Sequence, residues 1–236
     1  MNYKNRWIFF LLAVLTLIDI YAVNLAHSNL RFITKPLLMP LLITAFVIGH
    51  DRKNVYSRLM ISGLFFSWLG DIFLMLESSD GIYFILGLSC FLTTHILYIF
   101  YFLNIKAEGT SFYKLHPYLL AFVVVYGASL LYLLWPGLGE LKIPVLVYAI
   151  IICIMLSMAL WQYQRIETQT SKLFILGALL FVTSDSVLAI NKFRQPVPLG
   201  GIIIMTTYVA AQVMIVLGSL SHQRQQLPRD LPSFVS

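Results

Sequence analysis

Charge is scarce in this chain. Only 11% of its 236 residues are Asp, Glu, Lys or Arg, against about 25% in a soluble domain. That shortage excludes an ordinary water-soluble fold. With 59% hydrophobic residues, it marks an integral membrane protein. Cysteine is nearly absent: Cys90 and Cys153 both lie in apolar runs. They read as buried free thiols, not as a disulfide framework or a cysteine metal cluster. No His-x-x-x-His spacing occurs and four of the five histidines lie near expected membrane surfaces, so a zinc site is not expected. No polar stretch is long enough to fold alone outside a membrane. The net charge of +6 is spread over short loops and helix ends, where it sets topology and implies no nucleic-acid partner.

Long apolar runs, in contrast, fill the sequence. A helix needs about 20 apolar residues to cross the hydrocarbon core. Segments of that kind run approximately 7–26, 32–50, 57–77, 82–104, 116–135, 142–162, 172–192 and 199–220. The expected fold is therefore an all-α bundle of eight transmembrane helices, a single domain over 1–222 with a short tail over 223–236. The N-terminal Lys4 and Arg6 followed by an apolar run resemble a signal peptide. That run is too long for one and has no small-residue cleavage site, so a retained first helix is expected.

Eight spans put both termini on one side. With the termini inside, the inner segments hold Lys4, Arg6, Arg52, Lys53, Arg58, Lys106, Lys114, Arg165, Lys172, Arg224 and Arg229, which is 11 of the 16 basic residues. The outer segments hold Arg31, Lys35, Lys142, Lys192 and Arg194. The positive-inside rule then places both termini in the cytoplasm, with a bacterial inner membrane as the expected location.

Against this apolar background stand three acids inside spans: Asp19, Asp71 and Asp185. An acid near the bilayer centre costs roughly 2.5–3.5 kcal/mol on insertion scales and is by default a functional-site hypothesis. All three fall in spans that run from inside to outside, at one depth roughly 10 Å below the outer surface. Small residues, Gly70, Ser184 and Ser186, flank Asp71 and Asp185 and leave room for substrate or water. Gly70-Asp71-Ile72-Phe73-Leu74 resembles Ser184-Asp185-Ser186-Val187-Leu188, an echo that a parallel repeat of four helices plus four would explain. His95 and Tyr98 share one face of span four, as Tyr208 and Gln212 share one face of span eight. Lys35, beside Pro36 near the outer end of span two, is placed either to snorkel or to meet a lipid phosphate at the interface. Each polar residue also has a plainer reading as a hydrogen-bonded tie between helices.

At these residues the chain resembles the YhhN family of membrane proteins, which includes lysoplasmalogenases. The resemblance rests on Lys35-Pro36, Gly70-Asp71-x-x-Leu74-Met75, Gly87, Phe91 and His95-x-x-Tyr98. It continues through Gly177-Ala178-Leu179-Leu180-Phe181-Val182-x-Ser184-Asp185-Ser186 and Thr207-Tyr208-x-x-Ala211-Gln212, and so covers nearly the whole chain. Asp19 lies in no motif of the family. The resemblance implies a hydrolase that cleaves the vinyl ether bond of a lysophospholipid within the bilayer, with water as co-substrate and no metal or organic cofactor. The head group and the oligomeric state stay open.

That chemistry suits the acids. A vinyl ether hydrolyses by proton transfer to its β-carbon, giving an oxocarbenium ion that water captures. The catalyst needs one protonated carboxyl and one negative group facing the cation, a division of labour related to that of glycosidases. Two carboxyls sharing a low-dielectric site resist ionising together. Asp71 and Asp185 are the candidate catalytic pair. Lys35, His95, Tyr98, Ser184, Tyr208 and Gln212 are the candidate substrate-binding residues, and Asp19 is a possible addition. Three other classes compete: a transporter using the aspartates as an ion path, an intramembrane aspartyl protease, and a lipid-binding scaffold. Trp68-Leu69-Gly70-Asp71 lacks the first glycine of the protease pattern.

Overall fold

The computed structural model describes residues 6–25, 27–50, 55–77, 81–105 and 118–225. Among them are eight helices long and apolar enough to cross a membrane and no strand. They are α1 (Arg6–Asn24), α2 (Ser28–Gly49), α3 (Val55–Leu76), α4 (Ile82–Asn104), α5 (Tyr118–Leu134), α6 (Lys142–Trp161), α7 (Thr168–Phe193) and α8 (Gly200–Gln225). Two short 3₁₀ turns, Trp135–Gly137 and Gly139–Leu141, join α5 to α6. The expected spans match in number and order. α7 begins earlier and α8 ends later than the apolar runs alone indicate, because polar first and last turns continue the backbone hydrogen bonding. The expected start of span five at 116, the Asp51–Asn54 loop and the tail beyond 225 lie outside the described residues.

Polarity is turned inside out relative to a soluble bundle. Leu17, Phe10, Phe122 and Ile143 are exposed, whereas Asp19, Lys35, Asp71, His95 and Gln212 are buried. Hydrocarbon is the solvent for the outer face, so the polar groups must find partners within the protein.

Packing follows a ring in the order α1, α2, α3, α4, α6, α7, α8, closed by α8 against α1; α5 leans on α6 and, less closely, on α7. The closest pairs are α3 with α4 and α7 with α8. Small residues make both possible. A β-carbon added at Gly70 would stand 2.8 Å from the Phe91 ring, and one at Gly177 would stand 2.7 Å from Ile215 Cγ1 and 3.0 Å from the Ala211 carbonyl. α2 carries Pro36 and Pro40 inside its helical run. Pro40 has no N–H for the Pro36 carbonyl one turn earlier, and the Trp68 indole N–H of α3 donates to that carbonyl at 2.8 Å. The defect in α2 thereby becomes a tie to α3.

Candidate active site

The candidate residues fall into two clusters of interior polar groups. The first lies among α1, α2, α3 and α8. Lys35 Nζ is 3.3 Å from Asp71 Oδ1, and the Tyr208 hydroxyl donates to Asp71 Oδ2 at 2.8 Å. Thr34, beside Lys35, donates to Asp19 Oδ1 at 2.6 Å, while Asp19 Oδ2 is buried with no hydrogen-bond partner. One helical turn away the same α3–α8 contact continues. Tyr98 donates to Gln212 Oε1 at 2.6 Å, Gln212 Nε2 to Ser67 Oγ at 2.8 Å, and Ser67 to Thr94 at 3.1 Å.

Lys35 is buried and not exposed at the helix surface. Because α2 begins at Ser28, Lys35 lies about 10 Å along the helix, buried against Asp71.

The second cluster lies among α4, α6 and α7. The Tyr148 hydroxyl donates to Asp185 Oδ2 at 2.5 Å. His95 Nε2 faces the same oxygen at 3.1 Å and the Tyr148 hydroxyl at 3.0 Å. His95 Nδ1 has no partner. One residue further along α7, the Tyr126 hydroxyl of α5 lies 2.8 Å from Ser186 Oγ, which itself donates to the Val182 carbonyl at 2.6 Å. Ser184 turns the other way and donates to the Ile204 carbonyl of α8 at 3.2 Å, a helix–helix tie.

The two aspartates therefore keep separate partners. An aromatic ring connects the clusters: Phe181 meets His95 edge-on with centroids 4.6 Å apart and Tyr208 at 5.6 Å. Asp185 lines a cavity between helices. That cavity has a volume of about 70 Å³ and walls from α3 to α7 that are otherwise apolar apart from Tyr126, Tyr148 and Ser186. At about 10–15 Å³ per water it holds a few waters or a short piece of a larger molecule. From Asp185 it runs toward the end of the bundle away from the termini, where Phe84, Leu134 and Phe193 line it. Lys192 stands there, with Nζ 5.0 Å from the Phe84 ring and an ion pair to Glu77.

Asp71 and Asp185 also occupy corresponding positions. Each sits on the third helix of a four-helix half. Each takes one partner from the second helix of its own half, Lys35 or Tyr148, and one from the fourth helix of the other half, Tyr208 or His95.

Sequence reasoning singled out Asp185 and His95 but missed Tyr148, which sits in an apolar run with no flanking motif. It also missed Lys192 and Tyr126. Among the described residues, no group of three or more His, Cys, Asp or Glu is arranged to hold a metal ion.

The sequence pattern of the YhhN family matches residues 30–219. The chain is 34% identical over 181 residues to "Lysoplasmalogenase TMEM86B" of Homo sapiens, covering 76% of this chain and 71% of that one. It is 29% identical over 197 residues to "Lysoplasmalogenase" of Mycobacterium tuberculosis, covering 81% and 71%. To "Uncharacterized membrane protein YhhN" of Escherichia coli it is 28% identical over 188 residues, covering 79% and 85%. No solved structure matches the chain.

Proposed function

Because the chain belongs to the YhhN family, we propose that it is a multi-pass membrane hydrolase of the lysoplasmalogenase type. It cleaves the vinyl ether bond of a lysoplasmalogen to a fatty aldehyde and a glycerophospho-base. The observation that carries the reading is Asp185: a carboxyl fixed by Tyr148 and His95 in the wall of a small, largely apolar cavity between helices. Such a site accepts the neck of a lipid and one proton donor.

The geometry supports Asp185 as the general acid. Tyr148 and His95 both address Oδ2, which leaves Oδ1 for the substrate. A proton on Oδ1 passes to the β-carbon of the vinyl ether, and the π electrons move to give the oxocarbenium ion. The carboxylate so formed faces that cation while Tyr148 and His95 stabilise its other oxygen. Water adds to the cationic carbon and returns a proton to Asp185. The hemiacetal then collapses: its hydroxyl loses a proton, the carbon–oxygen bond to glycerol breaks, and the glycerol oxygen takes up a proton. No net proton is consumed. Preorganised donors of this kind act where charge develops.

Asp71 has a different task in this account. Held by Lys35 and Tyr208, it is a positioning residue that fixes Tyr208 against Phe181, which in turn packs on His95. The matching surroundings of the two aspartates support a parallel four-plus-four repeat in which one copy is open to substrate and the other is closed by its ion pair.

The surplus of basic residues in the inner loops supports an orientation with both termini in the cytoplasm, in a bacterial inner membrane. The Phe84–Phe193 end of the cavity, beside Lys192, then faces the outer leaflet. Asp185 lies about 12 Å from the α7 end at Phe193, and a lysolipid with its phosphate near Lys192 brings its ether bond down toward that level.

Aldehyde release from lysoplasmenyl-ethanolamine and lysoplasmenyl-choline by purified protein in detergent tests the reading. The saturated ether analogue, which has no carbon to protonate, must be left intact. Equal attack on the saturated analogue, or none on either vinyl ether, contradicts it.

A further inference from the structure

Resting on the hydrolase reading, a question remains of where the substrate's long chain lies. The Asp185 cavity, at about 70 Å³, has no room for it beside the ether bond. A second, larger hollow of about 320 Å³ lies along α5 and α6, with a wholly apolar lining but for Cys153 and Ser157. The two share Gly127, Leu131, Ala149 and Cys153 as a common wall. Two of those four carry little or no side chain, and the partition is thin there.

The placement of the two hollows side by side fits one molecule. The cavity runs from the Phe193 end of the bundle past Asp185 to Val182, Ile152 and Cys153. The shared wall lies at the level of Ala149 and Cys153. The groove runs along α6 from Leu146, level with the cavity, to Ser157, about 16 Å at 1.5 Å per residue, and reaches about 6 Å beyond Cys153. Its full length is close to the hydrocarbon of one leaflet, about 15 Å. A single-chain lipid with its head group at Lys192 and its ether bond at Asp185 would pass its chain sideways through the shared wall into the groove and on toward Ser157.

α5 is also the helix least held by the bundle. In its span 11% of residues are buried, against 22–44% in the other seven. Its polar ties to the bundle include the Tyr126–Ser186 hydrogen bond, next to the catalytic aspartate, and a long contact from Cys153 Sγ to the Val123 carbonyl at 3.9 Å.

We propose that the α5–α6 cleft is the lateral portal of the site: the hydrocarbon chain of the lysolipid lies in the groove and passes between Gly127 and Ala149, with α5 as the moving wall. The released aldehyde leaves by the same path into the bilayer.

The structure supplies its own test. A β-carbon at Gly127 stands 2.7 Å from Cys153 Sγ, so Gly127→Cys brings two thiols within disulfide reach and pins α5 to α6 across the portal. The expected result is that oxidation lowers turnover of a long-chain lysoplasmalogen at least tenfold, and that reductant restores it. A short-chain vinyl ether should lose less than threefold. Gly127→Cys/Cys153→Ser should not respond to oxidant. Full long-chain turnover in the cross-linked protein overturns the proposal, and so does equal loss for long and short chains, since that places the effect in the cavity. A lysophospholipid with a photoreactive group at its chain end is the second arm and needs no turnover. Labelling of Val124, Ala128, Ile150 or Ile154 in the wild type, in preference to labelling by a two-chain phospholipid probe, supports the portal even if no vinyl ether is hydrolysed. Labelling of other faces, or equal labelling by both lipids, overturns it.

Discussion

Lys35 Nζ and Asp71 Oδ1 lie 3.3 Å apart in the bundle interior, each side chain almost wholly shielded from its surroundings. Breaking a buried pair by neutralising one member leaves the other charge uncompensated, a loss of about 3–5 kcal/mol, whereas replacing both by apolar groups is often neutral. Asp71→Asn is therefore expected to lower the thermal unfolding midpoint in detergent sharply. Lys35→Met/Asp71→Leu should recover most of that loss and part of the turnover. An Asp71→Asn protein as stable as wild type but inactive would instead give Asp71 a direct part in the chemistry.

Tyr148→Phe keeps the ring in place and removes one donor to Asp185 Oδ2. A hydrogen bond to a charged group contributes about 1.5–3 kcal/mol. The expected effect is a fall in kcat of roughly 10–150-fold, with KM little changed, because the donor matters most once the carboxylate has formed. Steady-state kinetics in detergent micelles separates the two parameters, and a change confined to KM would count against the role assigned to Tyr148.

Much of this arrangement was legible in the sequence. Eight apolar runs separated by short polar breaks gave the spans, because hydrocarbon requires a nearly continuous apolar stretch. Asp71, Asp185 and His95 stood out because charge and imidazole are costly among leucines. The partners did not. Tyr148 and Tyr126 look like ordinary membrane tyrosines until α5, α6 and α7 are packed together. The partner of Lys35 was hidden for a related reason: with α2 begun at residue 32 it reads as a residue of the helix end, whereas the helix starts at Ser28 and Lys35 is paired with Asp71 a turn further along. The division of the two aspartates between separate clusters depends on helix adjacency, which hydropathy does not encode.

Lys192 stands beside Phe84, which lines the end of the cavity, and is paired with Glu77 and half-exposed. If it meets the lipid phosphate, Lys192→Gln raises KM about 1.4–5-fold, the scale of an exposed charge pair worth roughly 0.2–1 kcal/mol. Glu77→Gln frees the lysine and lowers KM. Equal KM values for both variants would remove Lys192 from the account.

Glu167 caps the start of α7, accepting from the Thr170 N–H at 2.8 Å and its hydroxyl at 2.9 Å. Burial opposes its ionisation, but the hydrogen bonds from Thr170, Gln169 and Gln225 outweigh this and hold the carboxyl below its ordinary range. A carboxyl lowered on folding contributes stability above its unfolded value and loses it as pH falls through the folded one. Glu167→Ala should cost about 0.5–1 kcal/mol at this exposed cap, with the difference from wild type vanishing in acid below the glutamate range. Thermal unfolding at neutral and acid pH checks both parts, and a pH-independent difference contradicts the cap.

The central claim is that Asp185 delivers the proton that opens the vinyl ether. Single-turnover aldehyde release from a lysoplasmenyl lipid, wild type beside Asp185→Asn with folding verified by circular dichroism, tests it most directly. The account predicts a folded variant with no aldehyde above background, while Lys35→Met/Asp71→Leu retains measurable turnover. Aldehyde release by Asp185→Asn at a rate near wild type would contradict it.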